Sequence, residues 1–110
     1  MSIQHCVPGE IIDISPFGGN FDSATSATLI RENHLEVFRF VLKAGKATPE
    51  HIAAGALTIQ CIEGEVELVC CGQTQLLKAN TLVYLKENDA HTVKALADST
   101  LLITILLKRE

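Results

Sequence analysis

Short runs rich in β-branched residues recur along the whole chain, and each is closed within a few positions by Gly, Asn, Asp or a charged pair. An amphipathic helix needs apolar residues repeating every three and four positions, and no stretch sustains that repeat. The pattern predicts strands at 11–14, 27–31, 35–42, 56–62, 65–71, 73–77, 81–85, 91–96 and 100–107. Turn residues separate them at Pro16-Phe17-Gly18-Gly19-Asn20, Glu32-Asn33, Glu63-Gly64, Cys71-Gly72, Ala79-Asn80 and Glu87-Asn88-Asp89. Many short strands at regular spacing imply an all-β antiparallel sandwich or barrel.

Two tight hairpins are expected, one from 57–62 through Glu63-Gly64 into 65–71, the next through Gly72 into 73–77. Glu65 and Glu67 alternate with Val66 and Leu68, so that strand has one wet face and one packed face. The last run, 101–107, is apolar on both faces apart from Thr104, and such a strand must be covered. It is expected either at the centre of a sheet or in a homodimer interface, and the chain is expected to be a homodimer. Residues 1–25 carry the weakest pattern and are expected to form an arm that wraps the barrel or exchanges with a partner.

The chain has 110 residues, with 9 Lys plus Arg against 13 Asp plus Glu and a formal net charge of −4. This length favours one domain over 1–110, large enough to bury about 65% of its unfolded surface without disulfides or metal. Mild acidity argues against a surface that tracks phosphates, so nucleic acid is not an expected partner. The longest apolar run falls far short of the ~20 residues of a spanning helix, and no membrane segment is expected. Met1 to Glu10 show no basic start followed by an apolar stretch, which points to the cytoplasm. There, Cys6, Cys61, Cys70 and Cys71, with no CxxC spacing among them, are expected as reduced thiols rather than a structural zinc site. Adjacent Cys70 and Cys71 are expected on opposite faces of a strand, one in the core and one at the surface.

The stretch Leu42-Lys43-Ala44-Gly45-Lys46-Ala47-Thr48-Pro49-Glu50-His51, continuing into Ile59-Gln60-Cys61-Ile62-Glu63-Gly64-Glu65-Val66, resembles the first motif of the cupin superfamily. Gly45, His51 and Gly64 hold that motif's spacing. The segment 77–91 resembles the second motif, with His91 at its histidine. The resemblance runs from Phe38 to Leu107 and implies an antiparallel jelly-roll barrel of the RmlC-like kind, with residues 38–107 as its conserved core. It also implies that His51 and His91 meet inside the barrel as metal ligands. The chain departs from the pattern at the other two ligand positions, where Ala53 and Leu57 stand, and at Ala79, Lys86 and Asp89 in the second motif.

Two imidazoles leave a divalent transition metal mostly to water, since such ions want three or four protein ligands. If Leu57 points inward, the period of two along a strand places Ile59 and Cys61 on the same interior face. Cys61 is then a candidate third ligand, or a buried core thiol. The candidate ligand pocket is therefore Leu57, Ile59, Cys61, His51 and His91. Without metal, either histidine is a candidate proton acceptor, with Tyr84 as acid partner or as a packed strand tyrosine. Arg39 either meets an anionic ligand in the barrel or points to solvent, Glu50 is expected to be solvated, and His5 and His34 receive no role. Three functional readings follow: a module binding a small molecule with a degenerate metal site, a metal-dependent enzyme of dioxygenase, isomerase or decarboxylase type, and a scaffold for dimerisation or contact with another protein.

Overall fold

A computed structural model describes residues 6–107. Its strands are β1 (Ala27–Arg31), β2 (Leu35–Leu42), β3 (Leu57–Glu63), β4 (Glu65–Cys70), β5 (Gln73–Lys78), β6 (Thr81–Leu85), β7 (His91–Ala95) and β8 (Ser99–Leu106). They form a five-stranded sheet in the order β1-β2-β8-β3-β6 and a three-stranded sheet in the order β5-β4-β7, with every pairing antiparallel. No helix among the described residues is long and apolar enough to cross a membrane.

The alternation written in the sequence becomes the core. Leu57, Ile59 and Cys61 of β3 and Leu101 and Ile105 of β8 face inward from the larger sheet. They meet Val66, Leu68 and Cys70 of β4 and Val93 and Ala95 of β7 from the smaller one. Strand β8 lies between β2 and β3, so the apolar run of 101–107 is explained by a central position with neighbours on both edges.

Three expectations are corrected. Strands β3 and β4 do not pair: Glu63-Gly64 is a corner at which the chain leaves one sheet for the other, after a register shift between Cys61 and Glu63. A tight turn between two alternating runs reads the same in sequence whether it closes a hairpin or turns a corner. Residues 11–14 form no strand, because the Asp13 carboxylate takes the Ser15 N–H and hydroxyl into a local turn and Ile11 is exposed. Strand β4 stops at Cys70, because Cys71 has φ 59° and Gly72 φ 76°, two successive left-handed residues that make a two-residue hairpin turn into β5. Cys70 is buried and Cys71 exposed, yet their sulfurs lie 2.8 Å apart instead of on opposite faces.

The N-terminal segment wraps its own barrel. The Cys6 N–H donates to the Leu29 carbonyl at 2.9 Å, and Phe21, in a short 3₁₀ helix at Gly18–Ser23, is buried. Glu63 holds this arm down: its carboxylate accepts from the Phe17 N–H at 2.8 Å, the Gly18 N–H at 3.1 Å and the Thr100 hydroxyl at 2.7 Å. Burial pushes the Glu63 carboxyl up, but these three donors outweigh it and the net position is below the ordinary value.

A carboxyl lowered on folding stabilises above its unfolded value, and that contribution disappears as pH falls through the folded value. Wild-type stability measured against pH is therefore expected to fall on the acid side of the usual carboxylate range, and Glu63→Gln to flatten that limb. Glycine is required at two motif positions for different reasons. Gly45 (φ +85°) opens onto empty space, whereas a Cβ on Gly64 (φ +87°) would collide with the Asp98 carbonyl and Ser99. Denaturant unfolding should show Gly45→Ala costing about 1 kcal/mol and Gly64→Ala roughly 3 kcal/mol or more.

Candidate functional site

Between the sheets lies a cavity of about 230 Å³. Its walls are Phe38 and Phe40 of β2, Ile59 of β3, Val93 of β7 and Leu101 and Ile103 of β8. Register explains the convergence: Phe38 stands opposite Ile103, and Ile103 opposite Ile59, so one row of inward side chains crosses three strands. Thr48, Pro49, Glu50 and His51 form the rim with His91.

The rim segment is laid along β7 by backbone bonds. Gly45 N–H donates to Ala95, Thr48 N–H to Val93 and His51 N–H to His91, each at 2.9 Å. The Thr48 hydroxyl accepts from the Val93 N–H at 3.0 Å. His51 and His91 exchange both backbone bonds, so they are directly opposite and send their side chains to the same face. Their ring centroids are 5.4 Å apart with planes at 77°. His91 is buried and His51 exposed. The His91 Nδ1 lies 3.2 Å from the Asp89 carbonyl, which only accepts, so Nδ1 carries a proton and in the neutral ring the lone pair is on Nε2.

No protein-family profile matches the chain. Over 61 residues it is 38% identical to L-ectoine synthase from Hahella chejuensis, a match covering 54% of this chain and 46% of the synthase. The chain thus spans less than half the length of that curated relative. Among solved structures, an RmlC-like cupin from Shewanella frigidimarina superposes with a TM-score of 0.73 at 20% identity, covering 97% of this chain and 94% of that one. A cupin superfamily protein from Desulfitobacterium hafniense gives 0.73 at 15% identity, covering 76% and 77%. A conserved protein of unknown function from Streptococcus pyogenes gives 0.76 at 16% identity, covering 100% and 98%.

The chain has the cupin fold. In this chain the metal set of the cupin motifs is not supplied: the two missing positions hold Ala53 and Leu57, both buried and neither with a side chain able to donate an electron pair. Cys61 does not replace them. Its sulfur turns to the corner, donating to the Glu63 carbonyl at 3.3 Å, and burial before any other cause pushes the thiol up. Among the described residues no three ligand atoms that include a histidine nitrogen lie within 4.8 Å of one another. The residues present thus do not complete the family's ligand set, and His51 and His91 alone would leave an ion mostly to water.

Of the five expected pocket residues, the cavity brings together His51, His91 and Ile59. Leu57 is closed over in the core beside Leu85 and Ile105, its register partners, and Cys61 belongs to the corner. Tyr84 is exposed on the outer face of β6, so it is no acid partner for the histidines. Arg39 also faces away from the cavity, its guanidinium 5.0 Å from the Phe17 ring centroid and its Nη1 donating to the Asp13 carbonyl at 3.3 Å. His34 is exposed in the turn before β2, and His5 lies outside the described residues. The aromatic walls Phe38 and Phe40 were the missed members; the alternation of 35–42 held their signal, since Arg39 between them marks the outward face.

Burial separates the thiols chemically. Brief iodoacetamide treatment of the folded protein followed by peptide mass analysis is expected to modify exposed Cys71 and leave Cys61 intact until denaturant is added.

Proposed function

We propose that this cupin binds a small organic molecule in its barrel cavity, with His51 and His91 as the polar contacts that orient it. The observation that carries the reading is an apolar cavity with two imidazoles converging on its mouth where the family's other ligands have become Ala53 and Leu57. At about 230 Å³ the space is below the ~300 Å³ at which drug-sized sites begin, so the ligand is small. Its apolar part meets Phe38, Phe40 and Ile103, and a donor on it meets the Nε2 lone pair of His91.

A second reading is an enzyme, supported by the 61-residue likeness to L-ectoine synthase. In that reading His91 Nε2 takes a proton from the bound molecule while the Asp89 carbonyl holds the ring through Nδ1. The metal-dependent form, of dioxygenase, isomerase or decarboxylase type, needs an ion at His51 and His91 with water filling most of its coordination sphere.

A thermal-shift screen of small organic compounds, run beside a His51→Ala/His91→Ala double variant, tests the proposal. Ligand at 100 times its Kd contributes about 2.7 kcal/mol, which raises Tm by roughly 10 °C in a chain of this size. The expected result is a shift that the double variant loses. A library that moves Tm at no concentration overturns the binding reading. About one transition metal per chain in freshly purified protein, lost from the double variant, assigns the barrel to the metal-dependent form instead.

A further inference from the structure

The hairpin between β4 and β5 turns through Cys71 and Gly72 with φ of 59° and 76°. Two-residue turns of this hand strongly favour Asn-Gly or Asp-Gly, because the first position must accept a left-handed backbone. A cysteine there is held against its preference, and strained residues concentrate at sites with a function. The consequence of the conformation is chemical. In a continuous strand neighbouring side chains diverge, whereas here the Cys70 and Cys71 sulfurs converge to 2.8 Å.

A third ligand meets them. Asp89, in the turn before β7, places a carboxylate oxygen so that it and both sulfurs all lie within 4.8 Å of one another. This is the one such trio among the described residues. The carboxylate is already oriented, since Oδ2 accepts from the Lys86 N–H at 3.0 Å, and neither of the described ion pairs involves it. Cys70 is buried, Asp89 half-buried and Cys71 exposed, so the trio has one open side. The Cys70 thiol is pushed up to about 11, by burial first and then by the Cys71 thiol and the Asp89 charge.

We propose that Cys70, Cys71 and Asp89 form a binding site for a thiophilic divalent ion of the zinc and cadmium class, at the hairpin end beside His91 and outside the lining of the barrel cavity. Two sulfurs and one carboxylate oxygen suit a tetrahedral ion with a fourth position left to water. Tetrahedral zinc separates two thiolates by roughly 3.8 Å, so binding opens the sulfur pair by about 1 Å, which rotation of the exposed Cys71 side chain supplies. Both thiols lose their protons to solvent as the two metal–sulfur bonds form, and nothing is oxidised or reduced.

The test is cadmium titration of the reduced full-length chain, followed by the ultraviolet thiolate-to-cadmium charge-transfer band and by equilibrium dialysis. One equivalent bound at micromolar cadmium with a thiolate band is expected, and zinc should compete for it. Cys71→Asn removes a ligand while giving the turn its preferred residue, so it is expected to keep or raise Tm and lose the band. Asp89→Asn retains an oxygen for the Lys86 N–H and should weaken binding roughly tenfold or more. His51→Ala and Cys61→Ser are expected to bind as the native chain does, which separates this site from the barrel and from the buried thiol. An unchanged band in Cys71→Asn overturns the assignment, as does no band in the native chain.

Discussion

At Gly64 the chain passes from the five-stranded sheet to the three-stranded one, and the segment 61–65 is stitched there to 97–100. Ser99 and Thr100 are fully buried polar residues, and both are satisfied by this corner. The Ser99 hydroxyl oxygen lies 3.1 Å from the Glu65 N–H and 3.2 Å from its carbonyl, and 2.7 Å from the Ala97 carbonyl. Thr100 donates to the Glu63 carboxylate, which in turn takes the N–H groups of the arm. Buried polar groups of this kind are costly when unpaired, so the corner, the entry into β8 and the arm form as a unit. With the corner fixed, the inward rows of β3 and β8 face that of β4 across the core, with Ile59 and Leu101 in one buried cluster with Val66 and Leu68.

The same corner sets the site. Since β4 and β7 pair in register from Val66–Ala95 to Cys70–His91, the turn at Gly64 decides where His91 stands relative to the larger sheet. The rim segment 45–51 then runs along β7 by backbone bonds and the Thr48 hydroxyl, which puts His51 opposite His91 whatever its own side chain does. Imidazole pairing is therefore a product of register. This separates two things that cupin motifs usually carry together: the glycines and the backbone course, which persist in Gly45 and Gly64, and the ligand set, which at positions 53 and 57 has become aliphatic.

Much of this was legible in the sequence, and the illegible part has a common physical cause. Eight strands lay within a residue or so of the expected places, because alternation and turn residues are local signals. The inward direction of Ile59 and Cys61 followed from the same period of two once the cupin resemblance implied that Leu57 points inward. What local pattern does not contain is the identity of a strand's partner. The Glu63-Gly64 turn could close a hairpin or cross between sheets, and only contact with Asp98 and Ser99, more than thirty residues on, decides it. Arg39 and Tyr84 are similar: alternation placed each opposite its neighbours, but which side was core depended on β8 lying against β2 and on β6 lying at the sheet edge.

The vicinal cysteines show the limit from the other side. Adjacent residues in a strand point to opposite faces, and that rule placed Cys70 and Cys71 apart. It held for burial, with Cys70 in the core and Cys71 at the surface, but not for direction, because a two-residue turn takes Cys71 and its left-handed backbone redirects the side chain relative to an extended one. The signal was present as Cys-Gly at a hairpin position, where Asn-Gly is the common choice. An unfavourable residue at a turn is therefore as informative as a favourable one: the favourable one marks where the chain bends, and the unfavourable one asks what the side chain gains there. Here the gain is position, two sulfurs and the Asp89 carboxylate gathered on one side of the hairpin end next to β7, where no strand residue alone would bring them together.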